Sequence, residues 1–171
     1  MADLLCEMKN EFDKYGYSLA ISLVGAVEIE EESLDKIARC CDYIALLTLS
    51  RGKETHRIAP INMIKSTVDW YVERGIPARK ILAIVPALGA IFTLEDPDDT
   101  GPGAKVNGPG NDDREMLGGH VIQNKEARYV LENGLGGIDI VAMEFEDDEG
   151  IGGEGRFPLT RTVYNTFRGG N

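Results

Sequence analysis

The chain of 171 residues is long enough for one domain of ordinary size. Its composition, 43% hydrophobic and 27% charged residues, is globular and argues against a disordered chain. A formal net charge of -11 argues against a nucleic-acid partner, because binding of phosphates needs clustered Lys and Arg. No stretch is apolar over the length that a bilayer requires, so we expect no membrane segment, and the amino terminus has no secretion-signal pattern.

Helices and strands are predicted to alternate along the chain. Apolar residues at helical spacing predict an amphipathic helix from Leu4 to about Gly16. Ser33 is the predicted N-cap of a second helix. Apolar runs predict strands at 19–27, 43–49, 81–85 and 138–143, and further helices are predicted at 60–74, 124–133 and 157–167. In the helix at 60–74, Ile64, Val68 and either Tyr71 or Trp70 are predicted to face the core. Residues 95–123 are predicted to be a loop region, because most of this stretch is rich in Asp, Gly and Pro.

This order, one helix followed by four strand–helix units, predicts an α/β fold with a parallel sheet and right-handed crossovers. Four such units could form an open sheet or half of an eight-stranded barrel, and the periodicity does not choose between them. In parallel sheets, functional residues gather at the carboxyl ends of the strands. Leu49, Ser50 and Arg51 occupy that position in the run that starts at Tyr43, so they are the first candidates for a site.

The sequence offers few residues for a metal or a cofactor. Cys6, Cys40 and Cys41 are odd in number and two are adjacent, which is a poor basis for a disulfide framework. With two histidines and no zinc-ligand spacing, we expect neither a metal site nor a cofactor. The acidic run 144–149 could bind calcium, but a solvated surface is the more common role of such a run.

Five segments of the chain occur in an order that is found in one enzyme family. They are residues 4–12, 43–50 and 69–94, Gly134-Leu-Gly-Gly-Ile138 followed by 144–147, and Phe157-Pro-Leu159. Together they resemble the second half of the barrel of the family-18 glycoside hydrolases, the chitinases and their inactive chitinase-like relatives. The family fold is an eight-stranded β/α barrel. The resemblance therefore implies a partial, half TIM-type barrel formed by residues 1–171 as one domain, with a shortened insertion at 95–123.

The chain departs from the family pattern at the positions that the resemblance links to catalysis and substrate binding. The family carries its general acid in an Asp-x-x-Asp-x-Asp-x-Glu strand, and this motif does not occur in the 171 residues. Loss of a general acid removes a contribution of about 10²–10⁴-fold to the rate. The family's other positions are changed as well: Leu49 and Ser50 stand for Tyr and Asp, Leu88 and Ala90 for Tyr and Arg, and Val141 for Trp.

These departures imply a catalytically inactive chitinase-like protein with no catalytic residue. The ordered resemblance implies that its role is to bind chitin or N-acetylglucosamine oligosaccharides or to act in signalling. The candidate ligand-binding residues are Leu49, Ser50, Arg51, Leu88, Val141 and Glu144. Two alternatives remain open: a carboxyl-terminal fragment of an active chitinase that hydrolyses β-1,4-N-acetylglucosamine polymers, and a truncated copy without a folded function. An incomplete barrel leaves open sheet edges, so we expect a homodimer. By resemblance, the protein is expected to be extracellular.

Overall fold

The computed structural model describes residues 1–48, 59–87, 92–101, 103–109 and 124–169. Within them, the predicted alternation of helices and strands is confirmed. The helices are α1 (Ala2–Asp13), α2 (Glu31–Cys40), α3 (Ile61–Glu73), α4 (Asn124–Glu132) and α5 (Pro158–Phe167). The strands are β1 (Ala20–Val24), β2 (Tyr43–Leu47), β3 (Ile81–Pro86), β4 (Phe92–Leu94), β5 (Val106–Pro109) and β6 (Gly137–Val141). The chain divides into two compact units, the first formed by residues 1–48, 62–84 and 128–139 and the second by 49–61, 85–127 and 140–171.

A four-stranded sheet with the order β1-β2-β3-β6 is the main sheet of the described residues. Strands β1 and β2 run parallel, with Ala20 beside Tyr43, and β2 and β3 run parallel, with Ile44 beside Ile81. Helix α2 connects β1 to β2 and helix α3 connects β2 to β3, so each parallel pair has a helical crossover. The predicted α/β architecture with a parallel sheet is therefore confirmed.

Side chains on the sheet alternate between two faces, and both faces are buried at its centre. Ile44 and Ile81 lie on one face and Ala45 and Ile84 on the other, and each is at most 3% exposed. At the β1 edge the second of these faces is open, because Val24 points to it and is 63% exposed. The sheet is therefore buried at its centre and has an accessible apolar residue at its β1 edge.

Helix α3 supplies much of this core. Ile64, Val68 and Tyr71 are buried on one side of the helix, and this orientation matches the predicted inward-facing residues. The sequence left Trp70 and Tyr71 as alternatives, and it is Tyr71 that is fully buried. Burial raises the pKa of the Tyr71 hydroxyl. Trp70 is only half-buried and lies 3.8 Å from the guanidinium carbon of Arg74.

Two local predictions differ from the structure. Helix α2 begins earlier than predicted, with Glu30 as N-cap, because the amides of Ser33 and Leu34 already donate to the Glu30 carbonyl at 2.9 and 3.0 Å. Ser33 is therefore not the cap but part of the first turn. Region 95–123 is not all loop, since β5 pairs antiparallel with β4. Its Gly- and Pro-rich composition conceals a strand whose pairing partner lies before it in the chain.

A disulfide joins α1 to α2, and it overturns the prediction that the cysteines are a poor basis for one. Cys6 and Cys40 are 34 residues apart in sequence, and their Cα atoms are 4.9 Å apart. The two helices pack against each other, so the distance along the chain gives no indication of this proximity. Cys41 is free and buried, and burial raises the pKa of its thiol. We call α1, α2 and their disulfide the helix pair.

Ion pairs surround the helix pair. Lys9 Nζ lies 2.7 Å from Asp13 Oδ1 and 2.8 Å from Asp42 Oδ2. Asp42 Oδ2 also accepts the amide of Leu19 at 2.7 Å, so this carboxylate connects the end of α2 to the start of β1. The hydrogen bond from Lys9 holds the pKa of Asp42 below its ordinary value. Lys36 forms a second such centre with carboxylates of both helices, since its Nζ lies 2.8 Å from Asp3 and 3.0 Å from Glu32.

Gly136 shows why one glycine of the Gly134-Leu-Gly-Gly-Ile138 segment is required. Its amide donates to the Ile81 carbonyl at 2.8 Å, which brings the two backbones into contact. A Cβ atom at this position would lie 2.5 Å from the Arg79 carbonyl oxygen, closer than real Cβ atoms approach. Any other residue would therefore push the start of β6 away from β3.

Candidate functional site

The carboxyl end of β6 is the described part of the predicted site. Val141 ends the strand and is half-buried, and its carbonyl accepts the Ala87 amide at 2.9 Å, just past the end of β3. Ala142 follows in a left-handed conformation, with φ of 64°. A non-glycine residue in this conformation stores backbone strain, and such residues cluster at functional sites. The backbone conformation of Ala142 is therefore imposed by the surrounding structure.

Glu144 lies three residues beyond Val141 in a short helical turn, Met143–Phe145. Its side chain is exposed, and Met143 beside it is 51% exposed. An exposed carboxylate next to an apolar side chain can accept hydrogen bonds from a hydroxylated ligand. Asp139, a further carboxylate on β6, is half-buried. The end of β6 thus carries a half-buried apolar residue, Val141, and is followed by an exposed carboxylate, Glu144.

At the end of β2, Thr48 is a residue that the sequence analysis did not single out. Thr48 is 1% exposed, and in the described part of the chain its hydroxyl oxygen has no hydrogen-bond partner. A buried hydroxyl without a partner is uncommon in proteins and costs free energy. The only hint in the sequence is a threonine inside an apolar run. The candidate residues that follow it, Leu49, Ser50 and Arg51, lie outside the described residues, as do Leu88 and Ala90.

The run considered for calcium forms a turn stabilised by hydrogen bonds, which we call the acidic turn (residues 144–157). Both carboxylate oxygens of Asp147 accept backbone amides, from Gly150 at 2.7 Å, Ile151 at 3.0 Å and Gly152 at 2.8 Å. Glu146 accepts the amide and the hydroxyl of Thr160 in the first turn of α5, at 2.8 and 2.7 Å. Both carboxylates are buried. Asp147 accepts hydrogen bonds from the backbone amides of the turn, and Glu146 caps the amino-terminal end of α5.

The described ranges contain no group of three or more His, Cys, Asp or Glu side chains arranged to hold a metal ion. Likewise, no helix within those ranges has both the length and the apolar character that a membrane crossing needs.

Comparison with known proteins identifies the fold. No protein-family profile matches the chain. Chitotriosidase-1 of Mus musculus is 25% identical in an alignment 183 residues long, which covers 76% of this chain and 39% of that protein. The Group IV chitinase of Ostrinia furnacalis, solved with allosamidin, has a TM-score of 0.82 at 21% identity over 99% of this chain. Human YKL-39, a pseudo-chitinase with retained chitooligosaccharide binding, has a TM-score of 0.73 at 17% identity over 98% of this chain.

The chain therefore has the α/β fold of the family-18 chitinases and chitinase-like proteins. It covers 62% of the insect structure and 64% of the human one, and thus less than two-thirds of each. With its parallel sheet and helical crossovers, it is a partial β/α barrel. The predicted resemblance and the predicted fold class are confirmed.

Proposed function

We propose that this protein binds chitooligosaccharides without hydrolysing them. The observation that carries the proposal is Val141, an apolar residue at the strand end where the family resemblance places an indole, in a chain without the family's acidic motif. Apolar contact at Val141 and a hydrogen-bond acceptor at Glu144 would together bind a sugar ring, and the acidic motif that supplies the proton for cleavage in the family does not occur in these 171 residues. The candidate binding residues remain Leu49, Ser50, Arg51, Leu88, Val141 and Glu144.

The alternative function is that of the carboxyl-terminal part of an active chitinase, in which another segment supplies the general acid. The chain covers only 60% to 64% of the length of related structures, and this partial coverage supports the alternative. In that case Val141 lies in a substrate groove rather than in a lectin-like site. Both functions predict saccharide binding, so turnover distinguishes them.

The test measures binding and hydrolysis on the same preparation, the full-length protein purified from its native source, because the alternative places the general acid in a segment outside these 171 residues. Titration calorimetry with a soluble N-acetylglucosamine hexamer reports binding, and a fluorogenic chitobioside reports hydrolysis. Saturable binding without turnover supports the proposal, turnover supports the alternative, and absence of both contradicts the two. Val141→Trp should raise the affinity, because an indole adds a stacking face, whereas Val72→Trp on the exposed side of α3 should not.

Self-association is part of the proposal, supported by the edge of β1. This strand pairs with β2 on one side, and Val24 at its end is exposed. An open apolar edge is a ready template for pairing with another chain. Light scattering after gel filtration should give a dimer mass, and Val24→Lys should shift it to the monomer, whereas Val72→Lys should not. A monomeric wild type contradicts this part.

An extracellular location is also part of the proposal, and the Cys6–Cys40 disulfide supports it. Disulfides form and persist mainly in oxidising compartments. Thiol labelling of the protein purified from its native source should find one free cysteine per chain, Cys41, after denaturation. Three free cysteines would contradict an oxidising compartment.

A further inference from the structure

Two exposed tyrosines stand close together in the turn between α1 and β1. Tyr15 is 70% exposed and Tyr17 is 62% exposed. Their ring centroids are 5.9 Å apart and their planes differ by 25°, so the two aromatic rings are nearly parallel and stack on each other. We call Tyr15 and Tyr17 the tyrosine platform. A single exposed aromatic residue is ordinary, but two that adjoin form a small apolar patch, and such patches mark candidate binding surfaces.

Helix termination explains one of these rings but not the other. The Tyr17 amide donates to the Phe12 carbonyl at 3.0 Å and the Gly16 amide to the Asp13 carbonyl at 3.3 Å, which is a Schellman motif. The Tyr17 ring makes the apolar contact that accompanies this motif, edge-on to Phe12 with centroids 6.2 Å apart. Tyr15 has no such role. Its ring rests beside Tyr17 and leaves most of its surface to solvent.

The turn also holds the platform in place. Gly16 has φ of 70°, a conformation that glycine adopts without strain, and the Tyr15 amide donates to the Phe12 carbonyl at 3.0 Å. The backbone of both tyrosines is therefore fixed by hydrogen bonds. Because only the side-chain torsions of the tyrosines remain to be ordered, binding of a ligand costs little further conformational freedom, which favours their use as a binding surface.

The surroundings narrow the chemistry of the ligand. Glu11 pairs with Lys14 and Asp13 with Lys9, so these neighbours give the platform no net positive charge, and the net charge of -11 further disfavours a phosphate backbone. Two rings offer far less area than the roughly 800 Å² per partner of a stable protein interface. A β-linked N-acetylglucosamine chain fits better, because its equatorial substituents leave C–H groups on the ring faces. These carry partial positive charge and are attracted to the negative face of an aromatic ring.

We infer that the tyrosine platform is a second saccharide-binding site, at which an N-acetylglucosamine unit of a chitin oligomer stacks on the exposed face of the Tyr15 ring, whose other neighbour is Tyr17. The site lies where β1 begins, whereas the candidate site described above lies where strands end. The inference rests on the proposed saccharide-binding function for its ligand class. A second site would lengthen the stretch of polymer that one protein molecule contacts and strengthen binding to long chains.

The test uses the intact chain with ¹³C-labelled tyrosine rings and a soluble N-acetylglucosamine hexamer. Titration should shift the ring signals of Tyr15 and Tyr17. Tyr15→Ala should weaken the binding detected at the platform about threefold to tenfold, as expected for loss of one aromatic contact. Tyr15→Phe should bind like the wild type, because the ring face remains. Tyr164→Ala, at another tyrosine that is 59% exposed, is the matched control and should leave binding unchanged.

Three results would overturn the inference, and they separate it from the proposed function. If the hexamer binds but both rings stay unperturbed and Tyr15→Ala has no effect, the platform is not a site, while saccharide binding stands. If Tyr15→Phe is as weak as Tyr15→Ala, the contact is to the hydroxyl and the stacking geometry is wrong. If the wild type binds no hexamer, both the platform and the proposed function fail. Melting curves of each variant confirm that it is folded.

Discussion

The helix pair and the acidic turn are both rich in carboxylates, but they use them in opposite ways. In the helix pair, Asp13, Asp42, Asp3 and Glu32 face the ammonium groups of two lysines near the surface. In the acidic turn, the buried Glu146 and Asp147 accept hydrogen bonds from backbone amides and a hydroxyl. Carboxylates thus form ion pairs with lysines in one region, whereas in the other they accept hydrogen bonds from backbone amides.

This contrast indicates where a carboxylate contributes to stability. A surface ion pair gains about 0–1 kcal/mol, because water screens the charges and long side chains lose freedom. A hydrogen bond to a charged group contributes about 1.5–3 kcal/mol, and a buried amide left without a partner adds a penalty of its own. The helix pair therefore depends more on its disulfide than on its charges, whereas the acidic turn depends on its carboxylates.

The largest effect is expected at Asp147. Asp147→Ala removes the acceptor of three backbone amides and should lower the free energy of unfolding by about 3–5 kcal/mol. Chemical denaturation monitored by circular dichroism measures this loss. Asp148→Ala, at the exposed neighbour, is the control and should change little. Equal stability of the two variants would mean that the amides of the turn find water instead.

Removal of the disulfide ranks second. The double variant Cys6→Ser/Cys40→Ser should lose about 2–4 kcal/mol, because the unfolded chain regains the freedom that closure of this loop removes. A reducing agent should destabilise the wild type to the same extent and leave the variant unaffected. A wild type that does not respond to reductant would show that the helix pair is held by packing alone.

A smaller effect is expected at Glu146. Glu146→Gln keeps an oxygen acceptor for the Thr160 amide but removes the negative charge at the start of α5, and should cost about 1 kcal/mol. Thr160→Val removes only the hydroxyl donor and serves as its partner in a double-mutant cycle. Strictly additive losses in the cycle would contradict a direct bond between the two side chains.

The smallest effect is expected at Asp42, and it depends on pH. Because Lys9 lowers the pKa of Asp42 in the folded state, the stabilisation is present above the unfolded pKa of about 4. It is lost as the pH falls through the lower, folded value. Asp42→Asn should therefore reduce the melting temperature slightly at pH 7 and have less effect near pH 2. An effect that does not change with pH would assign it to the Leu19 hydrogen bond alone.

Local patterns predicted the elements of this fold, since helical spacing and apolar runs depend on neighbours in sequence. The alternation of these elements then predicted the parallel sheet. Contacts between distant residues were not predictable in the same way. Cys6 meets Cys40 across 34 residues, and Glu146 reaches Thr160 in a helix that begins 12 residues later in the numbering, at Pro158. Neither contact leaves a periodic signal.

The site was predicted less completely than the fold. Val141 and Glu144 were chosen by family resemblance, and the structure places them at the end of β6 and just beyond it. Thr48 was missed, because burial of a hydroxyl without a partner depends on packing that the sequence does not report. The Gly134-Leu-Gly-Gly-Ile138 segment was matched as a motif. The requirement for glycine at position 136 comes from a backbone contact with Arg79, which the sequence does not report.

The disulfide of the helix pair also changes what a protease can release. Residues 26–28 and Glu30, between β1 and α2, are exposed, and this segment lies between the two linked cysteines. A cut there opens the main chain but leaves the amino-terminal piece covalently attached through Cys6. The nicked protein would migrate as one band without reductant and as two with it. A single proteolytic event in an oxidising environment would thus leave the first helix and strand attached to the rest of the molecule.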